Sequence, residues 1–151
     1  MDFANEYATI FYNSSGASLY LDGAVQEGEL VIPDNVKRLG NYTFDAYTKI
    51  TSVVIPDTVE EIGSSTFLRC TSLTNAVVGA GVKKMGSGIF TYCSALTHVY
   101  MKPTVPPVTG YNNFGNTNSA LKIRVPVGSL EAYQTASIWS TDKAKMYESE
   151  E

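Results

Sequence analysis

The stretch VIPDTVEEIGSSTF, residues 54–67, decides the fold because the chain repeats it with small changes on either side. Residues 31–44 read VIPDNVKRLGNYTF, and residues 77–90 read VVGAGVKKMGSGIF. Each copy ends in a phenylalanine, and the three stand 23 positions apart at Phe44, Phe67 and Phe90. One coil of this length cannot bury its own apolar face, so we predict that the coils stack, each about 4.8 Å above the last.

The same period links other apolar positions. A fixed period of about 20 to 29 residues is typical of a leucine-rich-repeat type of solenoid. We therefore predict a β-rich α/β solenoid: a right-handed coil of 23-residue repeats with parallel sheets, an N-terminal hairpin cap and a C-terminal helical cap. The equivalent positions are Val36, Val59 and Val82; Leu39, Ile62 and Met85; Ile50, Leu73 and Leu96; and the small-core slot Tyr47, Cys70 and Cys93.

The middle copy assigns a role to each part of a coil. Residues 52–55 alternate as a strand, and Pro56, which has no N–H to donate, ends it. Gly63 suits a corner that needs either positive φ or a close approach. Residues 64–69 are predicted to form one turn of α- or 3₁₀-helix. The third copy has additional glycines and is predicted to be the softest coil: Gly79, Gly81 and Gly88.

The ends of the stack need covers because an open coil exposes both a sheet edge and the core. Residues 8–12 and 18–21 are rich in β-formers and flank turn residues 13–16, which predicts the N-terminal hairpin. We predict one domain over residues 1–151. Its parts are an N-terminal cap (1–29), three repeats (30–101), an irregular loop with the last rung (102–127), and a C-terminal cap with a tail (128–151).

Residues 102–120 interrupt the period with proline- and glycine-rich sequence. Long loops on rigid scaffolds often carry function, so this segment is a candidate binding loop. The alternative is an enlarged turn before the last rung, with Phe114 taking the repeat's phenylalanine position. Residues 121–126 then restore the strand pattern.

The C-terminal part has the features of a lid. Ser129 is a good N-cap for a helix over residues 130–136. Trp139 follows, and we predict that it closes the open core, with ligand binding as the alternative role. Residues 148–151 are predicted to form a solvated, frayed tail.

Composition excludes several classes of function. The 151 residues carry a net charge of −4 and show no basic stripe, which argues against nucleic-acid binding. The sequence has no apolar run of about 18 residues, so no membrane insertion is expected. The first residues lack the basic and apolar regions of a signal peptide. Either a leader was removed or the protein is not exported by that route.

The sequence offers no catalytic, metal or cofactor constellation, and we do not predict an enzyme. The single histidine, His98, would have to serve any Ser-His-Asp or Cys-His arrangement, yet it lies at the outward position of a strand. Two cysteines and one histidine make no zinc motif. Cys70 and Cys93 occupy equivalent slots about 5 Å apart, which is within disulfide range. The slot is a core position, so we favour two reduced, buried thiols.

The outward side of the main sheet is the predicted partner-binding surface. Its first column is mostly apolar although it should face solvent, and a contiguous exposed apolar stripe usually marks an interface. The alternative is that valine is present only for its strand propensity. The first column is Val31, Val54, Val77 and Tyr100, continued by Arg124, and the second is Glu29, Ser52, Asn75 and His98, continued by Lys122. The predicted binding residues are Val31, Val54, Val77, His98, Tyr100, Lys122 and Arg124.

Two segments carry a family resemblance. Residues 55–74, IPDTVEEIGSSTFLRCTSLT, closely resemble the BspA-like leucine-rich repeat. Residues 121–136, LKIRVPVGSLEAYQTA, followed by IWS at 138–140, look like the closing unit of such proteins in gut Bacteroidetes. Together these features cover about residues 30–140. The resemblance implies a non-enzymatic surface or secreted protein that binds other proteins, often as an adhesin.

Three functions are therefore compared. The first is a cell-surface or secreted module of adhesin type that binds a host, matrix or assembly protein through the sheet face, with residues 102–120 as a further candidate. The alternative is a structural or decoration component of a multi-copy assembly such as a bacteriophage virion, with a virion or cytoplasmic location, which fits a short chain with no leader. A hydrolase using His98 is disfavoured because the sheet geometry should give it no acidic partner. No cofactor and no oligomeric state are predicted.

Overall fold

The computed structural model describes residues 10–11, 20–21, 24–25 and 27–150. Most of the chain forms short strands joined by turns, and the helices come near the C-terminus. In chain order the strands are β1 (Ile10–Phe11), β2 (Tyr20–Leu21), β3 (Ala24–Val25), β4 (Gly28–Val31), β5 (Arg38–Leu39), β6 (Ile50–Ile55), β7 (Glu61–Ile62), β8 (Asn75–Val78), β9 (Lys84–Met85), β10 (His98–Met101), β11 (Val108–Thr109), β12 (Lys122–Val125) and β13 (Met146–Glu148). Helix α1 (Leu130–Thr135) and a 3₁₀ helix (Trp139–Lys145) lie between β12 and β13.

Two parallel sheets line the coils, as predicted. The main sheet has the order β13-β12-β10-β8-β6-β4, and the second sheet has the order β1-β5-β7-β9-β11. In the main sheet Val54 lies opposite Val77, which lies opposite Tyr100, so that partners are one 23-residue step apart in sequence. Each strand therefore stands beside its counterpart in the next coil, and equivalent side chains form columns.

The core between the sheets is organised around the predicted file of phenylalanines. The ring centroids of Phe44 and Phe67 lie 5.2 Å apart, and those of Phe67 and Phe90 lie 5.5 Å apart. Phe114 continues the file 5.9 Å from Phe90, which confirms its predicted position. The rings are nearly parallel, within 14° at each of these steps. The predicted inward residues of the middle coil are buried as well: Val53, Ile55, Val59, Ile62, Cys70 and Leu73.

Residues 64–69 form a series of turns, so the predicted helical turn is wrong. The N–H groups of Ser65, Phe67 and Arg69 donate to carbonyls of the next coil, whereas that of Leu68 donates within the turn. Ser65 and Arg69 have φ of 56° and 60°, in the left-handed region that a right-handed helix excludes. A helix uses its N–H groups internally. Here alternate donors are needed to join one coil to the next.

Gly63 is required by close approach, while its φ is not in the left-handed region. A Cβ built on Gly63 would lie 2.5 Å from the backbone nitrogen of Asn41, which belongs to the preceding coil. The same close approach recurs at Gly86, where a Cβ would lie 2.5 Å from the nitrogen of Ser64. The glycine column thus lets neighbouring coils touch backbone to backbone.

Alanine at Gly86 and at Gly88 should separate the two reasons for glycine in this coil. Gly88 has φ of 67°, and a Cβ there would meet only side-chain oxygens at 3.4 Å. We therefore expect Gly88→Ala to lower the free energy of unfolding by about 1 kcal/mol through backbone strain alone. Gly86→Ala should cost about 1–3 kcal/mol because backbone atoms must move apart.

Chemical denaturation of both variants measures this difference. An equal cost for the two substitutions would contradict the close-approach assignment. The left-handed position of Gly88 is occupied by Ser65 one coil earlier. Glycine relieves backbone strain at this position. That the third coil is the softest stays a prediction, which the unfolding free energies of these variants also probe.

The described N-terminal strands pair differently from the predicted hairpin. β1 pairs in parallel with β5 and extends the second sheet, whereas β2 pairs antiparallel with β3. A hairpin between segments 8–12 and 18–21 is therefore wrong for their described residues, and its predicted turn, 13–16, lies outside the described residues. The physical reason is that β5 would otherwise present an unpaired edge, which β1 covers.

A strand lies inside the segment that was predicted as a loop. β11 pairs with β9, with Val108 opposite Lys84. Tyr100 pairs with Arg124, so this coil contains only one residue more than the others. β11 escaped prediction because Thr109 takes the inward place that Met85 holds in the coil before. Residues 102–120 therefore form most of a fourth coil.

The C-terminal cap consists of α1, the 3₁₀ helix and β13. The helix forms where it was predicted, but the side chain of Ser129 makes no capping hydrogen bond. Instead Glu148 Oε2 accepts from the N–H of Gly128 at 3.0 Å and from that of Leu130 at 3.4 Å. The predicted frayed tail is wrong as far as Glu148, because β13 pairs with β12 and covers the edge of the main sheet.

Candidate partner-binding surface

The outward face of the main sheet carries one continuous column of large side chains, which we call the sheet-face patch. It consists of Val54, Val77, Tyr100, Arg124 and Tyr147. Val54 is 46% exposed and Tyr147 is 38% exposed, while the three residues between them are half-buried. Alternation along the strands produces this surface, because each of the first four residues of the patch lies between two buried neighbours, and Tyr147 follows buried Met146.

The C-terminal half of the patch is concave. A shallow groove of about 260 Å³ runs across β8, β10 and β12 to β13. The second predicted column supplies one wall, where His98 is exposed and its Nδ1 lies 2.9 Å from Thr97 Oγ1. The outward-facing residues that line the groove are Asn75, Val77, His98, Tyr100, Arg124 and Tyr147.

Arg124 is held against Tyr100. Its guanidinium carbon lies 3.7 Å above the centroid of the tyrosine ring. This is a cation–π contact, which restrains the guanidinium over the face of the ring. The two residues are neighbours because β10 and β12 pair in register with Tyr100 opposite Arg124. The groove therefore has a rigid cationic side.

The outward face of the second sheet has a different character. Glu61 lies between two cations there, with Arg38 Nε at 3.6 Å and Lys84 Nζ at 3.8 Å from its carboxylate oxygens. Lys122 and Arg124 on the main sheet have no carboxylate within ion-pair distance among residues 27–150. The two cations of the second sheet thus share one carboxylate as an ion-pair partner, whereas Lys122 and Arg124 on the main sheet are open to an outside partner.

The cap is anchored on the irregular coil by two buried polar groups. Tyr133 Oη donates to the carbonyl of Pro103 at 2.7 Å, and Trp139 Nε1 donates to that of Pro107 at 2.8 Å. Burial raises the pKa of the Tyr133 phenol above its usual range, so it stays protonated as a donor. Trp139 is only 2% exposed and contacts Phe114, which supports the predicted lid over a binding role.

The two cysteine thiols have a structural role in the core. Cys70 and Cys93 are free and buried, and their Sγ atoms donate to the carbonyls of Phe44 and Phe67, each at 3.1 Å. The neighbouring Cys93 side chain and burial raise the pKa of the Cys70 thiol, which makes it a poor nucleophile. Within the described part of the chain, no three His, Cys, Asp or Glu side chains are grouped to hold a metal ion.

Asp57 links three coils through its carboxylate. Its Oδ1 accepts from Lys102 Nζ and from the N–H of Ala80, both at 2.8 Å. The hydrogen bond from Lys102, followed by that from Ala80, lowers the pKa of Asp57. Asp57 therefore helps to hold its own coil to the two that follow.

The predicted binding residues are brought together in large part. Val77, His98, Tyr100 and Arg124 line the groove, and Val54 lies one coil further along the patch. Lys122 borders a second shallow depression, of about 240 Å³, beside Tyr147 and Lys145. The backbone of Val31 pairs with Val54 at the far end of the sheet. Tyr147 was missed because no strand was predicted after the C-terminal helix.

The stacked parallel coils and their exposed sheet face define a leucine-rich repeat solenoid. A family model described as "BspA type Leucine rich repeat region (6 copies)" matches residues 22–141. Since the match covers most of the chain, the chain belongs to this BspA-type family. Leucine-rich repeat proteins are generally non-enzymatic scaffolds that mediate protein interactions.

Solved structures of bacterial leucine-rich repeat proteins have a similar fold. One, from Bacteroides capillosus, matches with a TM-score of 0.55 and 23% identity over 64% of this chain and 75% of its own. A leucine-rich cell surface protein from Faecalibacterium prausnitzii matches with a TM-score of 0.50 and 27% identity over 72% of this chain. The match spans 34% of that protein. The comparison with curated proteins found no match.

Residues 27–150 include no helix with the length and apolarity that a bilayer crossing requires. The two helices of the cap have six and seven residues. Both pack on the end of the solenoid through buried aromatic residues, Tyr133 and Trp139.

Proposed function

We propose that this chain is a protein-binding module of adhesin type, displayed at the cell surface or secreted, and that its partner docks on the sheet-face patch. The observation that supports this proposal is the exposed column from Val54 to Tyr147, which is apolar at one end and aromatic and cationic at the other. Interfaces are enriched in Tyr and Arg, and these residues supply much of the binding energy.

The contrast between the two sheets strengthens the assignment. Both expose side chains to solvent, but Arg38 and Lys84 already have Glu61 as an ion-pair partner on the second sheet. A surface with paired charges must break those pairs to bind, and it gains little from doing so. The name of the similar Faecalibacterium protein, a cell surface protein, is in keeping with the proposed location.

Two substitutions in the patch test the proposal. Val77→Asp and Tyr100→Ala should each weaken capture of a host or matrix protein by about 30-fold, since truncating a hot-spot residue costs about 2 kcal/mol. Binding of candidate extracellular proteins to the immobilised chain, measured by biolayer interferometry, gives the affinities. Thermal melting of each variant controls for folding.

Matched controls come from exposed residues elsewhere. Val108 is 75% exposed on the second sheet and Tyr111 is 72% exposed beside it, so Val108→Asp and Tyr111→Ala make the same chemical changes off the patch. These controls should bind as the wild type does. Loss of binding in the controls with full binding in the patch variants would overturn the proposed site. A chain that binds only as part of a stable multi-copy assembly would favour the structural alternative.

A further inference from the structure

The sheet-face patch has a sign of charge opposite to that of the whole chain. The chain carries a net charge of −4. Yet the two charged residues that face outward from β12, Lys122 and Arg124, are both cations. His98 stands opposite Lys122 on β10. A local cationic surface on an acidic protein attracts an anionic partner.

The two cations of β12 are available for a ligand. Among residues 27–150, no carboxylate lies within 4.0 Å of Lys122 or Arg124, while the cations of the second sheet have such partners. Lys145, which borders the depression next to Lys122, is paired with Asp142 at 2.7 Å. On the outward face of the main sheet, the unpaired positive charge thus lies on β12, where the patch is concave.

The geometry of Arg124 suits a carboxylate. Its planar guanidinium is held over the Tyr100 ring, with the guanidinium carbon 3.7 Å from the ring centroid, so fewer side-chain conformations are lost when it binds. The N–H donors in that plane match the two oxygens of a carboxylate, and charge-assisted bidentate bonds are stronger than neutral ones. Asn75 and His98 add polar groups on the same side of the groove.

The other half of the patch is suited to bind apolar side chains. Val54 and Val77 continue the column away from Arg124, and neither offers a hydrogen bond. Four inter-strand steps separate Val54 from Tyr147, which is about 19 Å at the usual spacing of about 4.8 Å. An extended segment of about six residues has this length. A free anion would use only one end of such a surface.

We propose that the partner element recognised here is an extended, acidic segment of a protein, with carboxylates at the Arg124 and Lys122 end and an apolar side chain on the valines. This inference rests on the proposed function and specifies its partner. A nucleic acid is a poorer fit, because the valine half gives no contact to phosphates and the remaining surface is acidic.

A pair of synthetic peptides provides the probe. The hexapeptide Glu-Glu-Glu-Val-Phe-Val and its neutral counterpart Gln-Gln-Gln-Val-Phe-Val differ in charge but scarcely in shape, and either face of the extended acidic peptide has carboxylates at one end and apolar side chains at the other. Titrations of the full chain, followed by backbone amide shifts in NMR spectra, should show that the acidic peptide binds at least about tenfold more tightly at low salt. Its affinity should fall between about 0.01 M and about 1 M ionic strength, over which the Debye length shrinks about tenfold.

Charge-matched variants locate the effect. Lys122→Gln with Arg124→Gln removes two positive charges from β12 of the main sheet, and Arg38→Gln with Lys84→Gln removes two from the second sheet. The first double variant should lose tenfold or more in affinity for the acidic peptide, and the second should stay within about twofold of the wild type. Lys122→Gln alone, which leaves the Arg124–Tyr100 contact intact, should show a smaller loss of the same sign.

Several results would overturn the inference. Equal affinity for the two peptides would do so, as would equal losses in the two double variants. If capture of a protein partner depends on Val77 and Tyr100 but not on Lys122 and Arg124, the proposed function stands and the acidic-segment inference fails. If capture depends on none of these residues, both fail.

Discussion

Phe67→Ala should lower the free energy of unfolding by about 3–5 kcal/mol, the range for truncating a buried aromatic ring. Phe67 has no exposed surface and lies in the middle of the file, 5.2 Å from Phe44 and 5.5 Å from Phe90. The cavity cannot close by moving one ring, because each phenylalanine belongs to a coil fixed by hydrogen bonds to the next. The cost should therefore lie near the upper end of the range.

Thermal and urea denaturation measure this loss. For a chain of this length the melting temperature should fall by roughly 6–20 °C. Leu68→Ala is the matched control, since Leu68 follows directly in the same turn but is only half-buried. It should cost about 1 kcal/mol. A loss for Phe67→Ala no larger than that of Leu68→Ala would contradict a closed file of rings.

Trp139→Ala is the second large effect, again about 3–5 kcal/mol. The indole closes the end of the core, with its centroid 6.2 Å from that of Phe114 and 5.2 Å from that of Tyr133. Its loss opens the last coil to water and leaves the carbonyl of Pro107 without the donor that lies 2.8 Å away. Amide hydrogen exchange should show the opening first in β13 and β11.

The conservative variant Trp139→Phe separates the two contributions. It keeps an aromatic ring on Phe114 and removes only the hydrogen bond with part of the ring area, so it should cost about 1–3 kcal/mol. If Trp139 belonged to a binding site instead, Trp139→Ala would leave the unfolding free energy unchanged and impair only partner binding. That pattern would overturn the assignment of the C-terminal segment as a cap.

The repeat could be predicted because its signal is a fixed spacing. Phe44, Phe67 and Phe90 stand 23 residues apart, and stacking coils convert that spacing into contact. The outward column followed from the same arithmetic together with strand alternation. The extra residue in the fourth coil, which sets Tyr100 opposite Arg124, was also visible as a step of 24. The contact between these two side chains could therefore have been predicted from the sequence.

The turns between the sheets could not be predicted in the same way. Residues 64–69 contain nothing that marks Ser65 and Arg69 as left-handed, since both are ordinary residues in a sequence compatible with a helix. Their conformation is imposed by the neighbouring coil, which accepts alternate N–H groups of the turn. A local sequence pattern does not carry this long-range requirement.

The C-terminal features that were missed also depend on distant partners. Glu148 caps α1 from 18 and 20 residues away, although Ser129 occupies the position that a local rule favours. Tyr147 joins the sheet-face patch only because β13 pairs with β12. An acidic chain end has the composition of a frayed tail, and only the uncovered sheet edge explains why this one is ordered up to Glu148.

Radical footprinting of tyrosines in the partner complex tests the central claim most directly. The chain provides internal controls, because Tyr100 and Tyr147 lie on the patch whereas Tyr42, Tyr92 and Tyr111 are exposed elsewhere. We predict that a bound protein lowers the modification of Tyr100 and Tyr147 several-fold and leaves the other three unchanged. Protection confined to Tyr42, Tyr92 or Tyr111, or no protection of any of the five in a formed complex, would contradict binding through the main sheet.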